Sequence, residues 1–375
     1  MRLAAAALAL AAAAPAAGAG VTRAPYGVTT GGEPVEQVTL ANDHGMIVKI
    51  IGYGATITDI VVPDRSGRPA NVVLGYASLA EYEAKNGKNR FGATIGRYAG
   101  RIAGARFAVD GREYRLVPND GPNALHGGAA PGLDSKLWAV RTLRERGAVG
   151  AAFTCTSPDG DQGFPGAVTV TATYRLLPDD TLRVDYEART TRTTPINLTN
   201  HAYFNLAGAG SGGVGGQRLR LHAARYVETD ARGIPTGRFP PVAGTPLDFR
   251  RPAAIGARID SRAPPMGERG GYNHAWLLDR SAPLAPAALL EDPASGRALE
   301  ILTTEPALQV YTGDYIDAKD VGAQGVVYRP RDGVALETMH LSDSVHRPEF
   351  PTTWLRPEET FRSTTLYRFT RRGRR

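Results

Sequence analysis

Apolar and polar residues alternate in short runs along most of this chain, and each run ends at a Gly, Pro, Asn or Asp. A period of two predicts half-buried β-strands, and the interrupting residues predict turns. Four strands are expected early, at Val35–Leu40, Met46–Ile51, Thr56–Val62 and Asn71–Leu74. Arg106–Val109 and Arg112–Leu116 flank Asp110-Gly111, a dipeptide favoured in two-residue hairpin turns. Val168–Leu176 and Leu182–Thr190 form a second hairpin around Pro178–Asp180. Later strands are expected at Arg218–His222, Ala275–Leu278, Ala298–Thr304, Leu308–Thr312 and Gly333–Thr338, and one helical turn or two at Ser78–Ala84. No unit repeats at a fixed period, which disfavours propellers and solenoids. The glycine-rich stretches Gly127–Gly132 and Gly208–Gly216 are too short, and too embedded among strands, to separate domains. The expected fold is therefore all-β: one large antiparallel β-sandwich domain with irregular loops.

Composition agrees with that reading. Hydrophobic residues make up 42% of the chain, enough for a sizeable core, and 44 glycines with 27 prolines favour turns over long helices. The ends differ from the body. Met1-Arg2 precedes an apolar run from Leu3 to Ala14 and a small-residue stretch closing on Ala17-Gly18-Ala19, the pattern of an export signal over 1–20. The run is short for a membrane span, and nothing later resembles one, so a periplasmic or secreted protein without stable membrane association is expected. The domain then covers 21–370, and 371–375 forms a solvated basic tail.

The formal charge of +7 comes mainly from scattered arginines, without the interleaved aromatics that stack bases, so no nucleic-acid partner is expected. The single cysteine, Cys155, excludes an intrachain disulfide and reads as a buried small hydrophobe. Metal-binding, nucleotide-binding and serine-hydrolase signatures are missing from the sequence, so neither metal nor cofactor is implied.

The polar residues that remain fall into five strings. They are 90–102, with Gly96-Arg97 and Arg101-Ile102; 119–128, from Asn119-Asp120 to Asn123-Ala124-Leu125-His126-Gly127-Gly128; 195–206, with Asn197-Leu198-Thr199-Asn200-His201-Ala202-Tyr203-Phe204-Asn205-Leu206; 244–250, with Thr245-Pro246-Leu247-Asp248-Phe249-Arg250; and Leu336-Glu337-Thr338, followed by Asp343 and Pro348-Glu349-Phe350-Pro351. In this order, from about Thr29 to Phe369, they resemble the aldose 1-epimerase (galactose mutarotase) family. The resemblance implies a large β-sandwich and an isomerase that interconverts the anomers of a free monosaccharide, as a monomer or weak homodimer. It implies Glu337 as catalytic base and His201 as the acid at the ring oxygen. His126, Arg101, Asp248, Gln309 and Tyr203 are implied as sugar-binding residues. Two positions depart from the family pattern: Gly100 stands where Asn usually precedes the arginine, and Met339 follows Leu-Glu-Thr in place of Gln.

Chemistry makes the implied roles reasonable. Anomerisation needs a proton taken from the C1 hydroxyl and one given to the ring oxygen, which a carboxylate and an imidazole can do. Arginine donates to hydroxyl oxygens and aspartate accepts from hydroxyls. Each residue also has a plainer reading: Glu337 as a surface acid, His201 as a core histidine, Asp248 as a turn cap, and Arg90 and Arg97 as internal salt-bridge partners. Three rival functions remain on sequence alone. A sugar-binding module would not need the acid and base together. A sugar-phosphate epimerase would need a phosphate cluster. A glycosidase would need a second acid beside Glu337, for which Asp248 and Asp343 are the candidates.

Overall fold

Three antiparallel sheets organise the computed structural model, which describes residues 19–129, 131–266, 270–371 and 373. The expected export signal over 1–20 lies outside the described residues except at its last two positions, and most of the expected basic tail lies outside them too. The largest sheet has nine strands in the order Ala139–Glu145, Ala148–Ser157, Val168–Leu176, Thr181–Thr190, Phe361–Arg371, Arg297–Thr303, Ala285–Glu291, Arg218–Leu221 and Ala253–Ala254. Arg371 is its last paired residue, opposite Arg297, so the strand runs one residue into the stretch assigned to the tail. A five-stranded meander packs nearby: Gly20–Val28, Pro34–Ala41, Ile47–Ile51, Thr56–Pro63 and Pro69–Asn71. The third sheet, also of five strands, runs Tyr203–Phe204, Val334–Met339, Ala307–Tyr311, Asn273–Leu277 and Arg225–Tyr226.

The third sheet shows how alternation places the site. Leu308, Val310, Val334 and Leu336 point into one continuous core with Val38, Ile50 and Ile60 of the meander and Val170, Ala172, Leu299 and Ile301 of the large sheet. Successive side chains leave a strand on opposite faces. The other face therefore carries Gln309, Tyr311, Ala335, Glu337 and Met339. Gln309 is directly opposite Glu337 in the ladder.

Most expected strands form within a residue or two of their predicted ends. The Asp110-Gly111 turn has φ of 51° and 74°, the positive pair that a twist-matched hairpin requires. The helix runs further than expected, over Leu79–Asn89, capped by the Ser78 hydroxyl and ended by Arg90 in the left-handed region. The fourth predicted strand sits earlier, at Pro69–Asn71, and Val73 makes only an isolated bridge to Phe204. Cys155 is buried in the strand Ala148–Ser157, where burial pushes its thiol up to about 11.

Arg97 departs from the salt-bridge expectation. Its side chain is fully buried, and its guanidinium donates to the carbonyls of Ser157, Pro158 and Pro165 and to the Ser157 hydroxyl. Asp161 is one bond removed, accepting from Ser157 Oγ. Burial lowers Arg97 only to about 10, so it stays charged at neutral pH and pins the loop after Ser157 beneath the site. Arg97→Met strips those carbonyls of their donor. It is expected to cost about 1–3 kcal/mol, the range for leaving a buried acceptor unsatisfied, read as a lower urea midpoint at unchanged slope.

Candidate active site

Glu337 lies on an interior strand of the third sheet, between Tyr203–Phe204 and Ala307–Tyr311, 2% exposed, and its Oε2 has no hydrogen-bond partner among the described residues. Facing it is His201, 5% exposed, with Nε2 3.6 Å from that oxygen. His201 follows the two-residue strand Thr199–Asn200, and its backbone is fixed on both sides: its N–H donates to Ala93 O, and its carbonyl accepts from Gly92 N–H. Gly92 has to be glycine, because a Cβ there would lie 1.9 Å from Ile57 O. The Asn200 side chain donates to Gly92 O and accepts from Ala202 N–H. Asn197 donates to Ala99 O and His340 O, and accepts from His340 N–H just beyond the end of the Glu337 strand. The asparagines of the Asn-Leu-Thr-Asn-His string are thus braces that hold the His201 and Glu337 segments together.

These two groups open onto a cleft of about 290 Å³, at the small end of ligand pockets and suited to one sugar ring. His126, Arg101, Gln309 and Tyr203 line it with them, so six of the seven expected site residues come together. Tyr203 forms part of the buried floor, with its ring centroid 5.1 Å from that of His201 and 5.8 Å from that of Tyr311. His126 sits in a left-handed turn, φ 54°, where its N–H donates to Gly100 O and its Nδ1 accepts from Gly100 N–H. That acceptance leaves the hydrogen of the neutral ring on Nε2. His126, His201 and Glu337 have ligand-type atoms within 4.8 Å of one another, but this tautomer makes His126 a hydrogen-bond donor rather than a metal ligand.

Asp248 does not join them. It forms a two-pronged pair with Arg250, Nε to Oδ1 at 2.9 Å and Nη2 to Oδ2 at 2.7 Å, in a separate surface recess with Arg251 and Arg258. The reason is local: Asp248 N–H bonds Thr245 O in a turn that sends Leu247 and Phe249 into the core. Asp343, the other candidate second acid, is buried and accepts from Ala103 N–H and pairs with His346.

Several cleft residues were given no site role by the sequence. Arg90, which ends the helix, pairs with Asp134 at 3.5 Å as expected of an internal ion pair, yet it also lines the cleft. Asn273 lies on the neighbouring strand, where its Oδ1 accepts from Gln309 Nε2 at 2.7 Å. Asp120 accepts from Arg101 Nε at 2.7 Å. The two departures from the family pattern prove to be coupled. A Cβ on Gly100 would meet Ser342 Oγ at 2.5 Å and Met339 Cε at 2.9 Å, so these two side chains fill the space a residue at 100 would take.

Burial sets the charge states. It raises Glu337 to about 8, although Arg90 and Arg101 pull the other way. It lowers His201 to about 3, with Arg90 adding to the effect, and holds His126 well below the usual imidazole range. Near pH 7, the close approach of Glu337 and His201 is therefore between two neutral groups.

Comparison with known proteins is consistent along nearly the whole chain. Residues 36–368 match the family model described as aldose 1-epimerase. Galactose mutarotase of Sus scrofa is 41% identical over 350 residues, 93% of this chain and 98% of that protein. Aldose 1-epimerase of Escherichia coli strain K12 is 36% identical over 346 residues, 90% of this chain and 96% of that one. The crystal structure of galactose 1-epimerase from Lactobacillus acidophilus superposes with a TM-score of 0.83 at 28% identity, covering 95% of this chain and all of that one.

The raised Glu337 makes the site a source of instability. The folded protein holds the carboxyl proton up to about pH 8, whereas an unfolded chain loses it near 4.5, so stability falls as pH rises between those values. Glu337→Gln has no proton to lose and is expected to unfold at higher temperature than wild type. The gap should widen from pH 5 to pH 8 by up to about 1.4 kcal/mol per pH unit, read by thermal melts across that range.

Proposed function

The chain belongs to the aldose 1-epimerase family and is an isomerase that interconverts the anomers of free aldoses; from that premise we propose that Glu337 is its base, that His201 is its donor to the ring oxygen, and that galactose and glucose are among its substrates. The observation that carries this is the Glu337–His201 approach at 3.6 Å on the floor of a sugar-sized cleft, with His126, Arg101 and Gln309 around it.

In the proposed reaction, the Glu337 carboxylate takes the proton of the C1 hydroxyl while the ring N–H of His201 donates a hydrogen bond to the ring oxygen. The C1–O5 bond breaks, leaving the C1 aldehyde, a protonated Glu337 and an oxyanion at C5 held by that hydrogen bond. Rotation about C1–C2 presents the other face of the aldehyde. Reclosure re-forms the C1–O5 bond as Glu337 returns its proton to O1, so no proton is gained or lost overall. His201 works from its neutral form, which polarises an oxygen as an electrophile without giving up its proton or carrying a full charge in a dry site. His126, held as an Nε2–H donor, supports the same oxygen. Arg101, Gln309 and Tyr203 hold the ring.

Export is the second part of the proposal. Met1-Arg2, the apolar run and Ala17-Gly18-Ala19 support delivery to the periplasm or the medium. The first strand begins at Gly20, so cleavage after Ala19 would leave it whole. No helix among the described residues is long and apolar enough to cross a membrane.

Polarimetry on fresh α-D-galactose and α-D-glucose tests the chemistry. Glu337→Gln and His201→Asn are each expected to lose roughly 10²–10⁴-fold in kcat while remaining folded; normal activity in folded Glu337→Gln would overturn the base assignment. Because the base must be ionised, wild-type kcat/KM should climb about tenfold per pH unit below about pH 8 and level off above it. A rate independent of pH from 6 to 9, after subtraction of spontaneous mutarotation, would contradict the role given to Glu337.

A further inference from the structure

Besides Glu337, Asp120 is the one acidic side chain that lines the cleft among the described residues, and its loop is built to hold it there. Asp120 and Asn123 exchange backbone hydrogen bonds of 3.1 and 3.0 Å around Gly121-Pro122, with Gly121 at φ 58°. The loop is tied down at both ends. Asn119 accepts from Leu125 N–H at 2.7 Å and donates to Leu125 O at 3.0 Å, while Asn123 Oδ1 accepts from Gly104 N–H at 3.1 Å. Leu125 is in turn the ladder partner of Arg101.

Arg101 faces Asp120 from this rigid frame. Its Nε donates to Asp120 Oδ2 at 2.7 Å, and the turn at Gly233 closes behind it, so that a Cβ there would lie 3.0 Å from the guanidinium carbon. The Asp120 side chain keeps about a third of its surface exposed, 33%, and its Oδ1 accepts no hydrogen bond from the described residues. A fixed carboxylate oxygen free to accept, beside a guanidinium with N–H groups left to donate, complements neighbouring hydroxyls, each of which both donates and accepts.

We propose that Asp120 is a sugar-binding, specificity-determining residue that accepts a hydroxyl remote from C1, while Arg101 donates to its neighbour. The proposal rests on the epimerase reading, in which Glu337 and His201 occupy C1 and the ring oxygen, and it extends that reading to the other side of the ring. It also supplies from Asp120 the carboxylate that sequence reasoning sought in Asp248. The substrate class is then a free aldopyranose with an adjacent pair of hydroxyls away from the anomeric carbon.

The test measures kcat/KM for wild type and Asp120→Ala on D-glucose and its 2-deoxy, 3-deoxy and 4-deoxy analogues, with far-UV circular dichroism confirming the fold. Wild type is expected to lose roughly ten- to a hundredfold on one deoxy position. Asp120→Ala should lose a similar factor on glucose, mainly through KM, and match wild type on that one deoxy sugar. Asp120→Asn keeps an acceptor for Arg101 Nε, so it should fold even if the alanine variant does not, and show a smaller loss at the same position. An equal loss on every sugar in either variant would make Asp120 a brace for Arg101 and overturn the proposal, as would no loss at all. A wild type that accelerates none of the sugars would remove the epimerase reading and the proposal with it.

Discussion

A carboxyl group held out of water in the middle of a sheet raises the energy of the folded state, and much of the architecture around Glu337 follows from that. A surface acid near its ordinary pKa would be a weak base, because it holds a proton poorly. Desolvation moves the group towards neutrality, where taking a proton from a hydroxyl is less uphill. That shift needs a dry floor. The apolar face of the third sheet supplies it from below through Leu308, Val310 and Leu336, and Tyr203 and Met339 line the cleft beside Glu337.

The guanidinium groups around the cleft are balanced against this desolvation. Arg90 and Arg101 both favour the charged form of Glu337, and both disfavour protonation of His126. Left bare, two cations beside a buried carboxyl would convert it to a permanently ionised group. Each instead has its own acid, Asp134 for Arg90 and Asp120 for Arg101, which moderates its field at Glu337. The deeper Arg97 serves a different end: its charge is solvated by carbonyls and supports the loop after Ser157 from beneath.

Much of this was legible in the sequence, and the unevenness has a physical reason. Strands with clean alternation, such as Val168–Leu176 and Thr181–Thr190, form nearly where the pattern places them, because one face is buried and the other wet. The strand Ala148–Ser157 was seen only in part, since most of its residues are buried and a period of two has nothing to contrast. Glu337, His201 and Gln309 were implied by the family resemblance, and the ladder that sets Gln309 opposite Glu337 then carries both to the cleft face. Asp248, implied in the same way, does not reach it. Its string looks like a site motif, yet the turn it makes consumes its carboxylate in pairing with Arg250. Asp120 stood in a polar string and Asn273 in none, and neither could be given a role locally, since what places them is a contact with Arg101 or Gln309 distant in the chain.

The carboxylates that were found and missed also differ in kind, and the difference separates two tasks the cleft must perform. A base for C1 has to be dry, so it belongs on an interior strand of a covered sheet, with an oxygen left unpartnered among the described residues. A group that recognises hydroxyls does better half in water and beside a fixed donor, since it must exchange solvent for sugar at every turnover without first overcoming desolvation. A braced loop at the cleft wall meets that need and a strand in the floor does not. On the proposed roles, the placement of Glu337 in the sheet and Asp120 on the loop follows from the opposite hydration each task demands.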